Sequence, residues 1–354
     1  MERPLRTGGC WLLLGTLAAI ALAISVWCPL GSRIEFGGDE GYELQKAALL
    51  ERGFLPYREV WNDQSPLHTW VLSVAFRALG DQVLWGRLIS LGAAVCVGLS
   101  VGIWARRVAG TCGAALAVAI LFGNPLFFLL GTSAMLEMPA VAVALMAMNV
   151  AGARRLSGPL AALLAGALLG LAAQVKLTAL LYTPACLCLL WLRLSDDFTR
   201  CQWRRVALAG AGFLVGSVVS FFAVAAVWPG ELGGLLPHFG SRMRAAFAGD
   251  HAFHFQHLTE APTIFLIATL LPITGVTGSW KRALPFVANA AITLAILCVH
   301  RPFWDYYLLR FVSRICGRIH LVLGAFLTWD TGQFPSRHRC ESRRIVWSPL
   351  GFCC

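Results

Sequence analysis

Charge is scarce in this chain. Of 354 residues only 13% are Asp, Glu, Lys or Arg, about half the share of an ordinary soluble domain. Hydrophobic residues make up 58%, and the mean hydropathy is +0.69. A wetted surface cannot be built from that composition, so the chain reads as a polytopic membrane protein. Acids are the scarcest charges, 18 against 29 Lys and Arg, for a net charge of +11. The basic excess falls in short pairs between apolar runs, as topology signals do. No basic stripe with interleaved aromatics precedes the C-terminal tail, which argues against a nucleic-acid partner. A Gly-rich phosphate loop is missing, and so is any internal repeat. Most of the 12 cysteines lie in or beside apolar segments, where Cys behaves as a small hydrophobe. Cys186 and Cys188 have no His or carboxylate nearby to complete a metal set, and no disulfide framework is visible.

The apolar runs are long enough to span. Arg3 and Arg6 precede an apolar run of about 20 residues, read as an uncleaved anchor with a cytoplasmic N-terminus. Further spans are expected at Leu84–Ala105, Gly110–Leu130, Met138–Val150, Pro159–Ala173, Leu177–Leu192, Val206–Trp228, Pro262–Thr277 and Ala283–Val299. Arg106/Arg107, Arg154/Arg155, the four arginines from Arg193 to Arg205, and Lys281/Arg282 then share one side with Arg3 and Arg6. The other side holds Gly31–Val83, Gly131–Glu137, Pro229–Glu260 and His300–Tyr307. Asp39–Arg52 reads as a helix near the interface, ended by Gly53. Ser65–Gly80 is too short to span and carries Arg77, so it reads as an amphipathic helix on the outer face. The fold class is thus all-α: a polytopic helical bundle of about nine or ten transmembrane helices, with an outer-face loop carrying interfacial helices.

Residues 1–307 read as one membrane domain, and 308–354 as an atypical basic tail. Arg310, Arg314, Arg318 and His320 interrupt what would be the next span, at a cost on the order of 2.5–3.5 kcal/mol for each charge near mid-helix. The last residues have no periodicity. A shifted reading frame or a truncated product accounts for this, with a surface helix and basic tail as the alternative.

Against this apolar background the acids of the first outer loop stand out: Glu35, Asp39, Glu40, Glu43, Glu51, Glu59 and Asp63. Carboxylates gathered at one face of an apolar bundle point to a site. Asp39 either caps a helix after Gly-Gly or, with Glu40 beside it, accepts a proton from a sugar or lipid hydroxyl. Glu137 is the only acid between Asp81 and Asp196, at the outward end of a span, where it needs a cation or a function. Lys176 lies between two short apolar runs. It suits a lipid phosphate or a carboxylate such as Glu137, unless it is only a snorkelling anchor. Arg242, Arg244, His300 and Arg301 supply donors that could neutralise a phosphate leaving group. The spacing of His251, His254 and His257 raises zinc as a weak alternative.

The order GGDEGY, GFLPY, NDQSPLHTW, GTSAMLEMP, GLAAQVK and HRPFWDYY, from Arg33 to Tyr307, resembles the GT-C superfamily of integral-membrane glycosyltransferases. Within it the chain resembles the protein mannosyltransferase-like branch, which includes aminoarabinose transferases and Rgt-type lipopolysaccharide-core transferases. The resemblance implies Asp39 as catalytic base, Glu40 as its neighbour and Glu137 at the second acidic position. It also implies substrate contacts at Lys176, Tyr42, Asp63, His68, Arg242, Arg244, His300, Arg301 and Tyr306. Gln64 and Ser65 depart from the family pattern, which usually has His and Pro there, and Glu137 stands where Asp is usual. The implied reaction is inverting transfer of a sugar from a polyprenyl-phosphate donor to a lipid, glycan or protein acceptor. It would occur at the periplasmic or extracytoplasmic side of a bacterial inner membrane. No cofactor is firmly implied, and a divalent metal stays open. The competing classes are a transporter or lipid flippase, which would place ionisable groups near the bilayer midplane in repeated halves, and a non-catalytic fragment of the enzyme.

Overall fold

A computed structural model describes residues 8–32, 38–80, 82–194, 203–228 and 230–234. Every regular element among them is helical. In chain order these are α1 (Gly8–Trp27), α2 (Gly38–Glu51), α3 (Leu67–Leu79), α4 (Gln82–Gly123), α5 (Pro125–Gly131), α6 (Glu137–Ala151), α7 (Gly158–Val175), a 3-10 turn (Leu177–Tyr182), α8 (Thr183–Leu194) and α9 (Trp203–Ala225). The fold is a polytopic helical membrane bundle. Four stretches among the described residues are long and apolar enough to cross a membrane: Gln82–Arg106, Gly158–Val175, Leu177–Leu194 and Trp203–Ala225. A fifth is made by Gly110–Gly123 with Pro125–Gly131, if that bent pair is one span. The spans expected at Pro262–Thr277 and Ala283–Val299, and the tail from residue 308, lie outside the described residues.

Local chemistry sets the breaks. Within α4, Gly110 takes φ 76° and ψ −167°, a conformation that only glycine adopts cheaply. It separates the two spans expected on either side of the Arg106/Arg107 pair. The stretch expected to run straight from Gly110 to Leu130 is instead bent by 77°. Asn124 caps a new helix there by accepting from the Phe127 amide at 3.0 Å, and Pro125 opens it. α2 carries Asp39 and Glu40 in its first turn, where the helix dipole favours acids. The chain leaves it through Gly53 at φ 94°. α7 stops at Lys176, whose backbone is extended, so the apolar runs flanking that lysine are two helices.

Small residues let the helices approach closely. α7 and α9 run parallel, with α8 as the return between them. A side chain at Gly166 would collide with the Phe213 carbonyl, one at Gly170 with Ser220, and one at Gly216 with the Leu163 carbonyl. Ser217 Oγ donates to the Gly166 carbonyl at 3.0 Å. Such backbone contact is how helices associate where no hydrophobic force distinguishes helix from lipid. Leu121, Phe127, Met138, Met148, Leu169 and Tyr182 are buried at the centre of the bundle.

The two ends of the bundle differ in charge. At one end Arg193 Nη2 donates to the Leu156 carbonyl, and the Trp104 ring lies against Gly152. This gathers the arginine-bearing connections, as the charge pattern requires. At the other end the expected outer loops converge on one another, and there the polar residues are buried.

Candidate active site at the acidic end

The first turn of α2 divides its two acids. Glu40 turns inward and is 2% exposed. Arg87, near the start of α4 and equally buried, grips it with two hydrogen bonds, Nε to Oε1 at 2.8 Å and Nη2 to Oε2 at 2.9 Å. Glu40 Oε1 also accepts from the Ala134 amide at 2.8 Å. Arg87 Nη1 donates to the Leu30 carbonyl at 2.6 Å. The forked geometry matches a planar guanidinium to a carboxylate. Asp39 faces the other way and is exposed. Tyr42, three residues on and hence on the same side of the helix, is 65% exposed.

Glu137 opens α6, three residues after Ala134. Its Oε1 meets Lys176 Nζ in a buried ion pair. Glu137 Oε2 has no hydrogen-bond partner among the described residues. A second buried pair stands close by. Lys46 Nζ lies 2.6 Å from Glu43 Oε1, 3.3 Å from Asn62 Oδ1 and 3.7 Å from Asp63 Oδ1. Burial raises the proton affinity of Glu43 and Lys46 opposes that rise, while Asp63 and Glu137 add to it. His68 is buried within electrostatic reach of Glu137 and Lys46. Burial pulls its pKa down to about 4, against the charge of Glu137, so its ring is neutral at pH 7.

A third polar group closes this end. Gln174 Nε2 donates to Glu231 Oε1 and to the Phe221 carbonyl, each at 2.9 Å. Burial pushes Glu231 up to about 7, and the hydrogen bond from Gln174 holds it back. Tyr57 packs its ring against Gly234 and adopts φ 66°, rare for a residue with a side chain. Its hydroxyl donates to the Gln64 carbonyl at 2.7 Å, and burial raises its pKa.

The structure therefore brings Asp39, Glu40, Asp63, His68, Glu137 and Lys176 to one end of the bundle, with Tyr42 on the exposed side of α2. Arg242, Arg244, His300, Arg301 and Tyr306 lie outside the described residues, as do His251, His254 and His257. No group of three or more His, Cys, Asp or Glu side chains among the described residues is arranged to hold a metal ion. Sequence reasoning passed over Arg87, Lys46, Gln174 and Glu231. Arg87 carried a usable signal, an ionisable residue inside an expected span. Lys46 carried another, three residues after Glu43 on one helix.

This helical bundle has the fold of a solved membrane protein, ArnT from Cupriavidus metallidurans. In the apo state ArnT superposes with a TM-score of 0.63 at 18% identity, over 91% of this chain and 61% of that one. Bound to undecaprenyl phosphate, it superposes with a TM-score of 0.65 at 20% identity, over 92% and 64%. The chain thus spans less than two thirds of the length of ArnT. No protein-family profile and no curated protein matches it.

Proposed function

We propose that this chain is a membrane glycosyltransferase that moves a sugar from a polyprenyl-phosphate donor to a lipid, glycan or protein acceptor at the outer face of the membrane. The observation that carries the reading is the division of labour in the first turn of α2. One carboxylate, Glu40, is locked by Arg87. Its neighbour Asp39 is exposed at the acidic end, in a fold shared with an ArnT that binds undecaprenyl phosphate.

In this reading Asp39 takes the proton from the acceptor hydroxyl. The oxygen attacks the anomeric carbon from the face opposite the phosphate and so inverts it. The bond from that carbon to the phosphate oxygen breaks, and the lipid phosphate departs with the electron pair. Lys176 exchanges part of its contact with Glu137 for the phosphate. The arginine end faces the cytoplasm by the positive-inside rule, which puts the acidic end in the periplasm or outside. The lipid-linked donor and the acceptor then meet on that side, without a nucleotide sugar.

The test is sugar transfer in membranes supplied with a radiolabelled polyprenyl-phosphate sugar. Asp39→Asn keeps the shape and the capping oxygen of Asp but cannot take a proton. Its turnover is expected to fall about a hundredfold or more, with expression and donor binding intact. Near-normal transfer by Asp39→Asn would remove Asp39 as the base.

A further inference from the structure

Two stretches of chain meet on one guanidinium, and a third joins them through the carboxylate it holds. Arg87 donates to Leu30, at the end of the segment leading out of α1, and to both oxygens of Glu40 in the first turn of α2. Through Glu40 Oε1 it is coupled to the amide of Ala134, three residues before Glu137. Glu40 lies next to Asp39 in the chain. The same four groups thus fix both ends of the segment that carries Asp39 and the approach to the Glu137–Lys176 pair. Next to Arg87, Gly86 lets these stretches close in. A Cβ there would stand 2.8 Å from Leu44 Cδ2 and 2.9 Å from Ala134 Cβ.

We propose that Arg87, acting through Glu40, is a positioning residue that fixes the first turn of α2, which carries Asp39, relative to the chain leading into Glu137. This rests on the transferase reading above and adds to it a residue that touches neither substrate. The physical basis is the fork. Both oxygens of Glu40 are bound, so the carboxylate cannot rotate, and the turn of α2 that presents Asp39 is held in a single orientation. Lysine keeps the charge but offers a point donor on a flexible stem, without the planar two-bond match. An error on the order of 1 Å in placing a catalytic group costs about a hundredfold in rate.

The decisive comparison uses full-length protein in membranes, with wild type, Arg87→Lys, Arg87→Gln and the double variant Glu40→Gln with Arg87→Gln. Arg87→Lys is expected to lower kcat about a hundredfold while the donor KM stays within about threefold. The double variant, which leaves no stranded charge at this pair, is expected to recover at least about tenfold over Arg87→Gln alone. A readout independent of activity is thiol labelling of a cysteine placed at Ser133, which is 2% exposed. Its rate, taken above the background of the same chain without that cysteine, should rise about tenfold in Arg87→Lys as the clamp loosens.

Arg87→Lys working at the wild-type rate, or labelling unchanged, would overturn the positioning role while leaving the transferase reading in place. Failure of both Arg87→Lys and the double variant to fold would assign Arg87 to stability alone and overturn it as well. Wild type that transfers no sugar from any polyprenyl-phosphate donor would bring down the transferase reading and this role with it.

Discussion

Gln174 and Glu231 join the last turn of α7 to the segment beyond α9, Nε2 to Oε1 at 2.9 Å. Gln174 is two residues from Lys176, so the third outer loop is tied directly to the helix end that presents the buried cation.

Glu231 makes that tie pH-dependent. Its folded pKa is raised to about 7 from an ordinary carboxylate value of 4.5. For a carboxylate raised in this way the folded state holds the proton more tightly than the unfolded chain does. Its stabilising contribution is complete below pH 4.5 and disappears as the pH rises through about 7. Glu231→Gln stays neutral throughout. Wild type should therefore lose ground to Glu231→Gln between pH 5 and pH 8, by a few degrees of melting temperature, on the order expected for small changes in stability. Thermal unfolding in detergent across that range checks it, and parallel curves for the two proteins would refute the assignment.

The buried Glu137–Lys176 pair predicts an asymmetry between single and double variants. Removing one partner strands a buried charge and costs about 3–5 kcal/mol, whereas replacing both with apolar residues of similar volume is close to neutral. Lys176→Met and Glu137→Leu should each lower the unfolding temperature, and the double variant should regain most of the loss. Lys176→Met and the double variant should transfer little sugar if Lys176 meets the donor phosphate. Strict additivity of the two stability losses would show that the contact carries little energy.

Topology follows from where the exposed residues stand. A cysteine at Tyr42, on the exposed side of α2, should react with an impermeant thiol reagent in sealed cells. One at Arg155, exposed at the arginine end, should react only after permeabilisation. Each is compared with the background of the parent chain. External labelling at position 155 would invert the bundle.

The glycines of α7 and α9 predict opposite outcomes at two positions. Gly166→Val should disrupt assembly, because even a Cβ would meet the Phe213 carbonyl. A Cβ on Gly210 meets nothing within 4 Å. Gly210→Ala should be neutral or stabilising by up to about 1 kcal/mol through helix propensity. Yield of monodisperse protein and its melting temperature separate the two. A well-folded Gly166→Val protein would contradict the close packing of these helices.

Much of the bundle was legible because hydrocarbon-length apolar runs and Gly or Pro breaks are local signals. The end of α2 followed from Gly53, the break between the two spans of α4 from the Arg106/Arg107 pair, and Lys176 at a helix end from the two short runs around it. Glu137 and Lys176 were visible as isolated charges in apolar surroundings, and Asp39 as one of the acids gathered in the first outer loop. The pairings were not visible. Glu40 meets Arg87 across 47 positions and Ala134 across 94, and Gln174 meets Glu231 across 57. No periodicity links residues so far apart. Arg87 lay inside an expected span, and Lys46 and Gln174 drew no notice. The bend at Asn124 was missed because an apolar run hides a capping residue within it.

The glycine seam between α7 and α9 also restricts traffic. With backbone against backbone at Gly166, Gly170 and Gly216, no gap the width of an acyl or isoprenoid chain remains along that line. A substrate with a hydrocarbon tail cannot slide in between these two helices without forcing them apart. That flank of the bundle is a wall, and any lateral door for lipid must open elsewhere on its perimeter.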